Sequence, residues 1–230
     1  MLTRNDFYKI TNTTQHSQFQ KFLEDIVLDK EKRNKFYRDC LHIDPLCINS
    51  DTFRGYFEEY AAERKSNKQD FTPESITDLL AKLTEKNKEN ESGWTAYDPA
   101  AGTGSMILSI WKDERDKHFP WDYYPHNYLY RADEISDVTI PYLIHNFAIR
   151  GMNAIVVHGD TLEASANQVY FIQNSKDDPM EFSSINVMPH SEMVAKLLNI
   201  KKWTAEPINH IEDDIDDLIW RIPIDKEKDA

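Results

Sequence analysis

The sequence has few of the residues that would indicate a secreted, membrane-bound or broadly nucleic-acid-coating protein. Two cysteines in 230 residues exclude a disulfide framework and favour the reducing cytoplasm. No apolar run approaches the roughly 18 residues that a membrane-spanning helix needs, so a membrane protein is not expected. Lys and Arg number 27 against 40 Asp and Glu, and the net charge of −13 excludes DNA binding through overall charge. A basic groove on an acidic body is still compatible with this composition.

Glycine is also scarce, with six in the chain, but four of them lie at the turns of one pattern of alternating strands and helices. They are Gly102, Gly104, Gly151 and Gly159. Strands are predicted at residues 94–98, 128–132 and 154–158, with apolar helical faces at 106–111 and 140–148. Strands that alternate with helices of this length form parallel sheets with crossover helices. The sequence therefore predicts an α/β fold with a three-layer, mostly parallel sheet.

The residues on either side of this pattern are more polar. Apolar residues around Phe19 and Tyr56 recur at the spacing of amphipathic helices, which predicts an N-terminal helical attachment. A fourth strand is predicted at residues 168–172, and an acidic helix follows near 211–219. Its acids are interpreted as a solvated face rather than a metal site or a phosphate mimic, and they are Glu212, Asp213, Asp214, Asp216 and Asp217. Three segments are predicted: a helical segment at 1–70, a core at 71–175 and a divergent acidic segment at 176–230.

The strongest chemical signal is the octet Asp98-Pro99-Ala100-Ala101-Gly102-Thr103-Gly104-Ser105 between the first strand and its helix. Glycines there let the backbone approach a ligand, whose polar or anionic group the free N–H groups of the helix favour. The octet is not a P-loop, because no Gly-Lys-Ser/Thr follows, and it lacks the third glycine of the dinucleotide fingerprint.

Two acids follow the next strands. Glu134 follows the second predicted strand, where doubly wound folds place a carboxylate that binds ribose hydroxyls. Asp160 follows the third, where a carboxylate can accept a hydrogen bond from an adenine amino group. Each acid taken singly could instead be a helix N-terminal residue favoured by the macrodipole. Because all three elements follow strand ends in the right order, we predict an adenosine-containing ligand.

These motifs resemble the N6-adenine DNA methyltransferases, especially the modification subunits of type I restriction–modification systems. The octet is similar to their S-adenosylmethionine loop, residues 71–76 (Phe-Thr-Pro-Glu-Ser-Ile) to their Phe-Thr-Pro element, and residues 159–162 to their Gly-Asp-Thr-Leu element. The resemblance covers about residues 50–165 and implies a Rossmann-like, S-adenosylmethionine-dependent methyltransferase core. The cofactor-binding residues that it implies are Phe71, Thr72, Pro73, Asp98, Ala100, Gly102, Gly104, Ser105, Glu134, Asp160 and Thr161.

The family's catalytic element, Asn-Pro-Pro followed by Phe or Tyr, has no match in the chain. In that element the Asn holds the target amino group while the aromatic ring stacks on the flipped base. Asn174, after the fourth predicted strand, is the candidate catalytic residue, and Asn186 is a second candidate. Two functions therefore stay open: a DNA adenine-N6 methyltransferase, or a catalytically inactive methyltransferase-like module that acts as a partner subunit or decoy. DNA, a protein partner or a second copy of the chain are the possible partners, and neither a metal nor a membrane is expected.

Overall fold

A computed structural model describes residues 1–63 and 94–214, and the first of these ranges is helical. Its helices are α1 (Arg4–Thr11), α2 (His16–Ile26), α3 (Lys30–Ile43) and α4 (Arg54–Glu63), with a 3₁₀ turn at Cys47–Asn49. Side-chain caps start two of them: Thr3 accepts from the Asp6 N–H and Asp29 from the Lys32 N–H. The predicted helices around Phe19 and Tyr56 are confirmed as α2 and α4. The segment boundary predicted at residue 70 lies outside the described residues.

The second range forms a six-stranded sheet. Its elements are β1 (Ala96–Asp98), α5 (Ser105–Asp116), β2 (Tyr130–Glu134), α6 (Ile140–Ala148), β3 (Ala154–Asp160), β4 (Ser165–Gln173), β5 (Ser184–Val187), α7 (Glu192–Leu198) and β6 (Lys202–Trp203). β1, β2 and β3 are parallel neighbours, connected through the crossover helices α5 and α6. The α/β prediction is therefore confirmed for this part of the chain.

The fourth strand reverses direction. β4 runs antiparallel to β3, from Asp160 opposite Ser165 to Ala154 opposite Ile172. β5 is antiparallel to the second half of β4, and β6 is parallel to its first residues. Gly159 makes this close pairing possible, because a Cβ at that position would lie 2.1 Å from the Ser165 carbonyl oxygen. β4 therefore starts at the side of the sheet where the carboxyl ends of β1, β2 and β3 lie, which is called the edge of these strands below, and it ends at the opposite edge.

The two faces of the sheet are covered by different helices. On one face, Tyr130, Ala132 and Val156 share a core with α6 and the N-terminal helices. All nine residues of α6 are buried, because it lies between the sheet and those helices: its Tyr142 ring contacts the Phe53 ring at 5.1 Å. The other face packs against α7. The N-terminal helices are thus continuous with the core that underlies the sheet.

The segment around residue 212 differs from the acidic helix that the sequence predicted. Residues 211–214 are not helical, and the Glu212 side chain is 4% exposed. It accepts two hydrogen bonds from the buried Arg33 guanidinium of α3, at 2.8 and 2.6 Å. Burial acts to raise the pKa of Glu212, but the bonds from Arg33 outweigh it and hold that pKa below its ordinary value. At Glu212 the predicted solvated face is wrong, because this acid pairs with α3; residues 215–217 lie outside the described ranges.

Candidate functional site

The glycine loop between β1 and α5 takes a shape that two of its residues make possible. Gly102 and Gly104 have φ values of +58° and +92°, in the left-handed region that glycine adopts at little cost. A Cβ on Gly104 would lie 2.8 Å from atoms of both Leu143 and Phe147, so the loop packs directly on α6. Among residues 1–63 and 94–214, Gly102 has no such neighbour within 4 Å. Gly104 therefore lets the loop pack against α6, and Gly102 leaves space at the outer surface of the loop.

Glu134, the last residue of β2, holds the loop on its second side. Its Oε2 accepts from the Gly102 N–H at 2.8 Å, and its Oε1 accepts from the Ser136 N–H at 2.8 Å. The loop is also joined to β2 through the Ala101 N–H, which donates to the Asp133 carbonyl at 3.0 Å. Each carboxylate oxygen has two lone pairs, so Glu134 keeps acceptor capacity after making these bonds.

The turn after β3 completes the arrangement. Asp160 Oδ1 accepts from the backbone N–H groups of Leu162 and Glu163, at 2.9 and 3.1 Å, and Oδ2 has no partner among residues 1–63 and 94–214. Thr161 Oγ1 donates to the Pro99 carbonyl at 2.9 Å, which ties this turn to the glycine loop. The structure thus brings together Asp98, Gly102, Glu134, Asp160 and Thr161 at one sheet edge.

The electrostatics of this edge favour a cation. Burial raises the pKa of Asp98 above its ordinary value, and the neighbouring carboxylates of Glu134 and Asp133 raise it further. Arg131 donates two hydrogen bonds of 2.9 Å to Asp133, and no Lys or Arg of the described ranges pairs with Asp98 or Glu134. Within those ranges, negative charge near Asp98 is therefore left without a basic partner, and a positively charged ligand would relieve it.

Sequence reasoning missed two apolar residues at the same edge. Ile135 is 62% exposed and Leu162 is 98% exposed, and each lies within two residues of a strand-end acid. A cleft of about 180 Å³ has Asp160, Thr161 and the α7 residue Leu198 in its wall, but neither Ile135 nor Leu162 lines it. Exposed apolar side chains beside a ligand can cover the face of a planar ring. Their position after Glu134 and Asp160 was the signal that could have identified them.

Two predicted cofactor-binding residues of the loop, Ala100 and Ser105, have different environments. Ala100 is exposed, and its N–H donates to Asp98 Oδ1 at 3.1 Å. Ser105 is half-buried and turns its hydroxyl inward, towards Asp51, at 3.3 Å. The predicted residues Phe71, Thr72 and Pro73 lie outside the described residues.

The structure does not bring the candidate catalytic residue to this edge. Because β4 is antiparallel to β3, Asn174 lies at the opposite edge, where its N–H donates to Asn153 Oδ1 at 2.6 Å. It is 2% exposed, and its side chain donates to the carbonyls of Gly151 and Asp178 and accepts from the Asp178 N–H. These contacts give Asn174 a structural role in the loop after β4, which corrects its placement beside the cofactor loop.

Asn186, the second candidate, also has a structural environment. It is fully buried in β5. Its side chain donates to the Asp213 carbonyl at 2.8 Å and accepts from the Glu212 N–H at 2.8 Å. It therefore fixes the C-terminal segment described above.

Within residues 1–63 and 94–214, no group of three His, Cys, Asp or Glu side chains is placed to hold a metal ion, and Cys40 and Cys47 are free and buried. No helix in those ranges is both long and apolar enough to span a membrane.

A protein-family model described as N-6 DNA Methylase matches residues 48–207, which is more than half of the chain. The match starts in the 3₁₀ turn before α4 and includes the glycine loop, Glu134 and the Asp160 turn. No curated protein matches the chain.

Proposed function

Because the chain belongs to the N-6 DNA methylase family, which uses S-adenosylmethionine as methyl donor, we propose that it binds this cofactor at the edge formed by β1, β2 and β3 and methylates the N6 amino group of adenine in DNA. The observation that carries the cofactor site is that the glycine loop is hydrogen-bonded directly to Glu134 and, through Thr161, to the turn that contains Asp160. The family match does not favour the alternative of an inactive binding module.

The residues present fit the cofactor chemically. Glu134 and Asp160 offer carboxylate oxygens, which suit the hydroxyl and amino donors of an adenosine. The open side of Gly102 leaves room for a ligand against the loop. The unbalanced acids around Asp98 suit a ligand that carries positive charge.

Each part of the edge has a separate task in this proposal. S-adenosylmethionine supplies a methyl group on a positively charged sulfur. Glu134 accepts from the ribose hydroxyls while its bonds to Gly102 and Ser136 keep its carboxylate fixed. Asp160 offers its Oδ2 to the adenine amino group, and Ile135 and Leu162 shield the ring from water.

DNA must reach this edge in spite of the net charge of −13, which opposes the approach of phosphates. We propose that DNA is held by a local basic surface or by a partner subunit or second copy of the chain. The resemblance to type I modification subunits supports a place in a restriction–modification system. Neither Asn174 nor Asn186 lies at the edge, so other groups hold the flipped adenine.

The cofactor site is tested by calorimetry with S-adenosylmethionine. Glu134→Ala and Asp160→Ala are each expected to weaken binding by about 1–3 kcal/mol, the usual cost of an unpaired buried polar partner. Glu163→Ala is the matched control, since it removes an exposed acid from the same turn. Unchanged affinity in both test variants would rule the site out.

Methyl transfer is tested with labelled cofactor and adenine-containing DNA. Incorporation of label into adenine is expected, and it should persist per mole of folded protein in Asn174→Ala. This variant should lower the free energy of unfolding by about 1–3 kcal/mol, because buried backbone partners lose their bonds. Specific loss of transfer with normal folding would restore Asn174 as a catalytic residue.

A further inference from the structure

Two hydroxyl groups of the glycine loop donate to one carboxylate that lies outside the loop. Thr103 Oγ1 donates to Asp51 Oδ2 at 2.5 Å, and Ser105 Oγ donates to the same oxygen at 3.3 Å. Asp51 is 5% exposed and Thr103 is 3% exposed. Hydrogen bonds shielded from water in this way are electrostatically stronger than exposed ones. The loop is therefore anchored to the short segment that precedes α4.

The second oxygen of the same carboxylate binds α6. Asp51 Oδ1 accepts from Asn146 Nδ2 at 2.8 Å and from the Phe53 N–H at 3.0 Å. Asn146 Nδ2 also donates to the Thr103 carbonyl at 2.9 Å, and its Oδ1 accepts from the Thr52 N–H at 3.1 Å. These bonds close a network that joins the loop, α6 and the N-terminal helical segment.

Arg150 fixes the main chain just before Asp51. Its guanidinium donates to the carbonyls of Ile48, at 3.0 Å, and of Ser50, and also to the Asn146 carbonyl at 2.5 Å. Burial lowers the pKa of Arg150 to about 10, and the Asp51 carboxylate acts in the opposite direction. A buried anion and a buried cation thus balance each other at this point.

We propose that Asp51 is a positioning residue for the cofactor loop, which rests on the function proposed above. Left-handed glycines impose little shape of their own, so the conformation of the loop must come from its contacts. Glu134 holds the ligand side through the Gly102 N–H, and Asp51 holds the inner side through Thr103. The helical segment is therefore a working part of the cofactor site.

Thr103→Val tests this without removing the buried charge. The variant keeps the side-chain shape and loses the donor, so affinity for S-adenosylmethionine should fall about tenfold by calorimetry. Hydrogen exchange of the loop amides at residues 100–106 should become faster. Thr103→Ser, which restores the hydroxyl, should recover both properties.

The matched control is Ser183→Ala. Ser183 is 1% exposed, and its hydroxyl donates to the Met152 carbonyl at 2.7 Å, outside the network around Asp51. It should lose a similar amount of thermal stability while cofactor affinity and loop exchange stay unchanged.

Wild-type affinity and wild-type loop exchange in Thr103→Val would overturn the inference and leave the proposed function standing. A loss of affinity in Ser183→Ala in proportion to its loss of Tm would also overturn it, because stability alone would then explain the effect. If the wild-type chain binds no cofactor, the proposed function fails. Loop exchange in the two variants would still decide whether Asp51 holds the loop.

Discussion

Polar side chains stabilise the turns at both edges of the sheet, but only at one edge do they keep hydrogen-bonding capacity for a ligand. At the edge where β1, β2 and β3 finish, Glu134 and Asp160 fix their turns through backbone N–H groups and keep acceptor capacity. At the opposite edge, the Asn174 amide is buried and its donors are directed at the carbonyls of Gly151 and Asp178. A turn residue can bind a ligand only if the fold leaves part of its hydrogen-bonding capacity unused.

A glycine pair gives the largest expected contrast between the edges. Gly151 has φ +64°, and a Cβ there would lie 2.5 Å from the Glu181 carbonyl oxygen and 2.8 Å from Asn174 Nδ2. Gly151→Ala should lower the free energy of unfolding by about 2–5 kcal/mol, from left-handed strain and overpacking together. Gly102→Ala carries only the strain, about 1–2 kcal/mol, because no described residue lies within 4 Å of the added Cβ.

Denaturant unfolding and calorimetry with S-adenosylmethionine check this pair. Gly102→Ala should lose more affinity than stability, since its methyl group enters the ligand space, and Gly151→Ala should show the reverse. Equal effects of the two variants on both measurements would remove the distinction between the edges.

The features that the sequence predicted correctly are local. The glycine octet starts at the last residue of β1, and Glu134 and Asp160 are the last residues of β2 and β3; parallel strands bring such ends to one edge. The apolar pattern of β4 is the same in either direction, but its short connection to β3 favours an antiparallel hairpin, because a parallel crossover needs about a dozen residues or more. The placement of Asn174 depended on that direction, and it failed for that reason.

The remaining misses are long-range pairs. The local bond that Asp51 accepts from the Phe53 N–H is an ordinary turn contact, and its partners Thr103 and Asn146 lie far along the chain. Helix α3 was missed because its buried side includes Arg33, which a hydrophobic pattern assigns to solvent. The Arg33 guanidinium donates to the nearby Val27 carbonyl, but the partner that balances its charge, Glu212, lies far along the chain.

The exposed apolar residues give a second, smaller contrast. Leu162 is 98% exposed at the ligand edge, and Met180, 86% exposed, lies in the loop after β4 at the other edge. Covering part of the Leu162 side chain with a ligand ring is worth about 1 kcal/mol, so Leu162→Ser should weaken cofactor binding about fivefold. Met180→Ser should leave affinity unchanged, and both variants should keep the wild-type Tm. Equal affinities for Leu162→Ser and the wild type would show that no ring packs there.

The smallest expected effect concerns Asp98 in the absence of cofactor. Its pKa lies above its ordinary value of 3.8, chiefly through burial, so the folded state holds this proton more tightly than the unfolded state does. The charged carboxylate therefore costs stability at neutral pH, and the cost disappears as pH falls through the raised pKa. Asp98→Asn removes the charge and keeps an oxygen that can accept from the Ala100 N–H. Its Tm should exceed that of the wild type at pH 7, by a margin that shrinks towards pH 4.

Thermal melts across that pH range measure the margin, with Asp122→Asn as an exposed control that should show none. The variant should lose cofactor affinity although it gains stability. Asp98→Asn should bind S-adenosylmethionine, whose sulfur is positively charged, more weakly than the wild type does. Its loss of affinity for S-adenosylhomocysteine, whose sulfur is uncharged, should be smaller. A variant that is both less stable at pH 7 and unchanged in affinity would show that the acids of this edge are there for folding, as the amides of the opposite edge are.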